Sequence, residues 1–118
     1  MALIYHIAFP TDWEEAKKTG EYRISTRGRS LPEEGFIHAA EARQVAGVAS
    51  RFYEDAATED LIVLLIEVEK IKVEIRHETP PGSSETFPHI YGALDVNAVV
   101  GTLPLGKDAE ERARLWPA

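Results

Sequence analysis

The side chains best equipped for chemistry in this sequence are its four histidines, His6, His38, His77 and His89. Three of them stand inside apolar stretches: His6 between Tyr5 and Ile7, His38 between Ile37 and Ala39, and His89 in Phe87-Pro88-His89-Ile90-Tyr91. An imidazole without a partner among apolar groups costs free energy, so each must find one. A single such histidine is ordinarily a satisfied core residue. Three on three different segments are better explained by one shared polar site, where an imidazole titrating near neutrality serves as general acid or base. His77 lies between Arg76 and Glu78 in an alternating stretch and is given no role. Tyr91 offers either a stacking face beside His89 or a core ring. Arg27 and Arg29, in Thr26-Arg27-Gly28-Arg29-Ser30, form either a solvated turn or a fork for a phosphate or carboxylate.

Other chemistries find less support. The absence of cysteine excludes a thiolate nucleophile, a redox pair, a Cys-ligated metal and a disulfide scaffold. No His-x-His or His-x-x-x-His pair places two imidazoles on one element, so a metal enzyme using His6, His38 and His89 together is the weakest alternative. Gly101 to Lys107 matches the glycine and lysine positions of a phosphate loop, but Asp108 replaces the hydroxyl that should hold magnesium, and its charge would repel phosphates. No Gly-x-Ser-x-Gly elbow occurs.

The 118 residues carry 13 Lys and Arg against 20 Asp and Glu, a formal charge of −7. That balance argues against extensive nucleic-acid binding, which needs clustered cations, and leaves room for a small anionic ligand. The length predicts a single domain, residues 1–118, able to bury roughly two thirds of its unfolded surface without disulfides. No basic residue precedes Lys17, so the apolar start lacks the front of a secretory signal. The longest apolar run, Leu61 to Ile66, falls far short of the roughly 18 residues of a membrane span. A cytoplasmic location is expected.

These side chains need elements to position them. The apolar stretch Leu3 to Phe9 predicts a strand buried on both faces, with His6 inside the fold. Thr11 with Glu14 suggests a capped helix over Asp12 to Thr19, stopped by Gly20. A short strand over Tyr22 to Ile24 precedes a loop, Thr26 to Glu34. Helical spacing resumes over Glu41 to Tyr53; Leu61 to Val68 reads as the central strand, with Ile71 to Ile75 as a half-exposed neighbour. Thr79 to Thr86, rich in Pro, Gly and Ser, is an irregular loop. A helical turn at Asp95 to Ala98, a last strand at Val99 to Leu103, a helix over Gly106 to Arg114 capped by Asp108, and a tail from Leu115 complete the chain. This order predicts an α+β fold with a mixed or antiparallel sheet.

Ile4-Tyr5-His6, followed by a helix and then Gly20 and Tyr22, resembles the opening of the ADP-ribosyltransferase superfamily, where a strand-borne histidine contacts ribose hydroxyls. Gly35-Phe36-Ile37-His38-Ala39-Ala40 resembles the second motif of its RNA 2′-phosphotransferase branch, and Leu61 to Val68 its next core strand. Along essentially the whole chain the sequence resembles the bacterial family called domain of unknown function 952, through the first-strand histidine, the Gly-Phe-Ile-His step and Phe87-Pro88-His89-Ile90-Tyr91-Gly92. His89 stands near the place where the superfamily usually has Glu or Gln.

The resemblance implies an ADP-ribosyltransferase-like split sheet and a cleft for NAD, ADP-ribose or a related nucleotide, as substrate or ligand. The activity it implies is ADP-ribosyl or 2′-phosphate transfer. In that cleft His6 would orient ribose hydroxyls, Tyr91 would stack on a base, His38 and His89 would act as acid or base, and Arg27 or Arg29 would assist the leaving group. The alternative from another class is a non-catalytic ligand-sensing or protein-interaction module whose histidines bond internally.

Overall fold

A computed structural model describes residues 2–26, 29–53 and 61–117. Its backbone order is β1 (Leu3–Ala8), α1 (Pro10–Thr19), β2 (Glu21–Tyr22), β3 (Ile24–Thr26), β4 (Arg29–Ser30), α2 (Leu31–Glu34), β5 (Ile37–His38), a 3₁₀ turn (Ala42–Gln44) and α3 (Val45–Phe52). Then come β6 (Ile62–Glu67), a 3₁₀ turn (Val68–Lys70), β7 (Glu74–Glu78), β8 (Phe87–Tyr91), β9 (Leu94–Asp95), a 3₁₀ turn (Val96–Ala98), β10 (Val99–Pro104) and α4 (Ala109–Leu115). Every strand pairing among the described residues is antiparallel. The α+β expectation holds, in its antiparallel form.

Strand β6 lies between β1 and β10, which makes it central to its sheet. Its alternating side chains enter two different cores. Leu64 and Ile66 join Ile4, Ala16, Tyr22, Ile37, Ile90 and Leu94 on the α1 side, whereas Val63 joins Ile7, Val45, Ala49, Tyr53 and Trp116 on the side of α3 and α4. A strand covered on both faces cannot alternate with polar residues, which is why 61–66 is an unbroken apolar run.

A second sheet has the order β5-β8-β7. The two sheets meet where Tyr5 and Ala40 exchange backbone hydrogen bonds, each 2.8 Å long. Ala39 N–H donates to Pro88 O at 3.0 Å, so the chain leaving β5 is held by β1 and β8 in successive residues.

Several local readings are corrected. Helix α1 begins at Pro10 with Phe9 at its N-cap; Thr11 makes no side-chain cap, and proline takes the first helical position, where its missing N–H costs nothing. The strand expected at 22–24 is split between β2 and β3. The 26–34 loop holds β4 and α2, the latter closed by a capping box between Ser30 and Glu33. The half-exposed strand starts at Glu74 and runs to Glu78, three residues later than the alternation predicts. The C-terminal tail is docked: Trp116 is buried, its Nε1–H donates to Pro104 O at 3.3 Å, and its ring meets Tyr5 edge-on.

Gly92, just after β8, is fixed by proximity. A Cβ placed there would lie 2.7 Å from Val73 Cγ1 and 3.0 Å from Val73 Cβ. Val73 is β-branched and stiff, so the backbone must move instead. Gly92→Ala is expected to destabilise the fold by about 1–3 kcal/mol in urea unfolding, the usual cost of overpacking; an unchanged midpoint would show that Val73 yields freely.

Candidate functional site

The second sheet presents one polar and aromatic face. In its register His38 is opposite His89, and His89 is opposite Arg76 on the other side. Strand alternation puts Tyr91 on the His89 face of β8, and Glu74 and Glu78 on the Arg76 face of β7. The intervening Ile37 and Ile90 point to the other side and are fully buried in the core. Helix α2 delivers the edge strand: Gly35 ends it at φ 86°, a left-handed turn that favours glycine, and its N–H caps Leu31 O at 2.7 Å.

Phe36 organises the rings. It stacks on His89 with centroids 4.1 Å apart and 18° between planes, and meets His38 edge-on at 4.8 Å. The two imidazoles also meet edge-on, at 4.9 Å. Each has a carboxylate beside it. Glu78 accepts a hydrogen bond from His89 Nδ1–H at 2.9 Å, and Glu34 lies 3.5 Å from His38 Nε2. The same Glu78 oxygen accepts from Tyr91 O–H at 2.5 Å, while Arg76 lies over the Tyr91 ring at 4.4 Å. Hydrogen bonds from Tyr91 and His89 hold the Glu78 carboxyl below its usual range.

The Glu78 contact makes Nδ1 the bonded nitrogen of His89. Its Nε2 is buried and takes no hydrogen bond among the described residues. Leaving a buried nitrogen without a partner costs roughly 1–3 kcal/mol. His38 is part-exposed; burial, and then the neighbouring His89, lowers its pKa, so it is neutral and able to accept a proton at pH 7.

His6 has both ring nitrogens bonded within the fold. Its Nδ1–H donates to His38 O at 2.5 Å, and Tyr22 O–H donates to Nε2 at 3.0 Å. Burial raises the Tyr22 pKa, so its hydroxyl keeps its proton. Burial likewise lowers the His6 pKa to about 4, partly offset by the bond to His38. With both nitrogens engaged, His6 positions the His38 backbone. A ligand-facing role would require it to break one of those bonds.

A cleft of about 540 Å³ opens on the β1 side of His38. Tyr5, His6 and His38 line it together with Arg43, Arg51 and Phe52 from the α3 region and Glu85 and Phe87 from the other wall. Its volume suits a small ligand. His89 and Tyr91 are not in its walls: His6 and His38 border it, and His89 stands behind His38. Arg29 is exposed and pairs with Glu34 at 3.2 Å, one carboxylate away from His38. Arg27 lies outside the described residues. His77 is exposed and takes no part.

Among the described residues no three His, Asp or Glu side chains are placed to hold a metal ion. The tri-histidine alternative is thereby corrected, since His6 is already bonded through both nitrogens. Phe36, Glu34, Glu78 and Arg76 escaped sequence reasoning. Two repeated Phe-x-His steps, Phe36 to His38 and Phe87 to His89, were the available signal. No helix in the described residues is long and apolar enough to cross a membrane.

Fold and site together define a small antiparallel α+β domain with a carboxylate-backed histidine pair. Residues 7–102 match the family described as Protein of unknown function (DUF952), and the chain belongs to that family. It is similar to the crystal structure of protein CC0527 from Caulobacter crescentus, with 28% identity and a TM-score of 0.76 over 93% of this chain and 91% of that one. A crystal structure of a double mutant of CC0527 gives the same values. The solution NMR structure of CC0527 is 29% identical with a TM-score of 0.71, covering 94% and 90%. No curated protein matches the chain significantly.

The burial of His6 sets a pH dependence. Native His6 stays neutral down to about pH 4, whereas the unfolded imidazole takes a proton near 6.5. Between those values the unfolded state binds more protons, so His6 lowers stability as pH falls from 6.5 and has no effect above it. The expected slope is about 1.4 kcal/mol per pH unit from this residue. Urea unfolding from pH 7 to 5, paired with NMR of the His6 ring, checks this; a His6 ring that titrates near 6.5 in the folded protein would contradict it.

Proposed function

We propose that this protein binds a nucleotide of the NAD or ADP-ribose type on an ADP-ribosyltransferase-like framework, and that His38 and His89 carry acid–base chemistry on its ribosyl part. The observation that carries the reading is the pair itself: two imidazoles 4.9 Å apart, each beside a carboxylate, with His38 lining a 540 Å³ cleft and His89 packed behind it. A second support is the motif resemblance at Ile4 to His6 and Gly35 to Ala40.

In this reading Glu78 holds His89 by Nδ1 and leaves Nε2 as the atom where a proton is exchanged. A carboxylate on the far nitrogen also steadies the ring's orientation, as in other base–orienter pairs. Neutral His38 faces the cleft and takes the proton of an attacking or ribose hydroxyl. Tyr91, expected to stack on a base, instead anchors Glu78 through its hydroxyl, and Arg76 lies over its ring. Arg29 acts on His38 through Glu34. His6 sets the backbone from which His38 projects, in place of a contact to ribose.

The internal bonds of His6, and of His89 to Glu78, favour the other class, a non-catalytic ligand-sensing or interaction module. Turnover separates the two.

A thermal-shift panel of NAD, NADH, ADP-ribose, ADP-ribose 1″,2″-cyclic phosphate, AMP and nicotinamide tests the proposal on wild type and His38→Ala. A ligand at about 100 times its Kd adds about 2.7 kcal/mol, a shift of several degrees. The shift is expected with one or more nucleotides and is expected to shrink in His38→Ala, which keeps its fold because the ring is part-exposed. Any turnover found should fall about 10²- to 10⁴-fold in that variant. Because the His38 pKa is lowered, wild-type turnover should hold from pH 7 to 6.5 and decline only in more acid solution. No shift with any nucleotide, or equal shifts in the two proteins, would overturn the reading.

A further inference from the structure

An ion pair joins two walls of the cleft, one from the α3 region and one from the segment between β7 and β8. Glu85 belongs to the segment between β7 and β8, and its Oε1 accepts from Arg43 Nη1 at 2.8 Å and from Gln44 Nε2 at 3.1 Å. Gln44 is buried, with only 4% of its surface exposed, and its position is built: its Oε1 accepts from Glu41 N–H at 2.9 Å, and its Nε2 also donates to Thr86 O at 3.0 Å. One oxygen of a carboxylate is thus cradled by a guanidinium and a preorganised amide on a cleft wall. A short turn carries the segment: Ser83 N–H donates to Pro80 O at 3.1 Å, and Gly82 has φ 81°. Arg51, a second cleft-lining cation, lies beneath that turn, its Nη2 only 3.7 Å from where a Gly82 Cβ would sit.

We propose that Arg43 and Gln44 are the phosphate subsite of the cleft, and that Glu85 occupies it in the free protein as an internal stand-in for the ligand's anion. This rests on the nucleotide reading above and extends it to a second region of the cleft.

The chemistry is that of a charge-assisted pair. A carboxylate and a phosphate oxygen accept the same N–H donors in the same geometry, so one replaces the other without rebuilding the site. Exchange conserves the hydrogen-bond count at Arg43 and Gln44 while freeing Glu85 to water. The Arg43–Glu85 pair is largely solvent-exposed, 61% and 51% by side chain, and such pairs hold weakly. A phosphate, with more charge and more acceptor oxygens, displaces it, and Arg51 supplies a second cation under the released turn. The fold needs neither member of the pair, because Gln44 retains its bonds to Glu41 and Thr86.

Binding of inorganic pyrophosphate and of ADP-ribose, measured by calorimetry at low salt, tests the subsite on wild type, Glu85→Ala, Glu85→Gln, Arg43→Gln and His38→Ala. Removing the competing carboxylate should tighten pyrophosphate roughly tenfold in both Glu85 variants, and Arg43→Gln should weaken it by a similar factor, the usual scale for a hydrogen bond to a charged group. His38→Ala should bind pyrophosphate like wild type. Circular dichroism melts confirm that each variant is folded. Pyrophosphate binding that follows Arg43 and Glu85, with no nucleotide effect at His38, sustains the subsite and removes the acid–base reading. ADP-ribose binding that depends on His38 but is indifferent to Arg43 and Glu85, or absence of pyrophosphate binding by every variant, overturns the subsite.

Discussion

A buried imidazole must have its nitrogens satisfied, and His6 meets that requirement where the sheet of β1 joins the sheet of β5. Its Nδ1–H bonds the carbonyl of His38, and its Nε2 accepts from a tyrosine whose proton burial retains. Beside it, Tyr5 and Ala40 close a backbone pair between β1 and the chain leaving β5. The junction is therefore specified twice, by the backbone and by a side chain. Slipping β1 by one residue would turn His6 to the other face of its sheet and leave Tyr22 O–H and His38 O without partners. Everything on the second sheet inherits its position from this contact.

The histidine pair follows from register. Once β5 is placed against β8, His38 falls opposite His89, and β7 brings Glu78 within reach of both His89 and Tyr91. Phe36 packs against both imidazoles and covers one face of His89 with an apolar surface. The result is two imidazoles in different surroundings: one buried, held by a carboxylate and with a nitrogen unpartnered, the other partly open to the cleft and kept neutral by burial. Dissimilar environments for like groups are how one site separates proton donor from proton acceptor. The overall negative charge does not oppose an anionic ligand, since the cations that border the cleft are local to α3 and its preceding turn.

Much of this was legible in the sequence, and what was not has physical reasons. The doubly covered strands β1 and β6 announce themselves as apolar runs, and the three histidines embedded in apolar segments point to polar partners inside the fold. Periodicity does not report which partner. His6 has the same local signature as His38 and His89, yet it bonds internally because Tyr22, sixteen residues on, arrives at its Nε2. Glu78 and Glu34 look like surface carboxylates until cross-strand register and the α2 turn bring them to imidazoles. The strand carrying Glu78 was expected three residues too early, because Ile71 and Val73 alternate like strand residues yet pack against the first core before β7 begins. Trp116 reads as a tail residue, and only the three-dimensional path shows it sealing the core beside Tyr5.

Nitrogen-15 NMR of the histidine rings, recorded at pH 7 with and without ADP-ribose, tests the central claim most directly. The account predicts a neutral His6 protonated at Nδ1, a His89 protonated at Nδ1 through its bond to Glu78, a neutral His38, and ligand-induced changes at His38 and His89 while His6 stays fixed. A His89 protonated at Nε2 alone, or ligand-induced changes confined to His6, would contradict it.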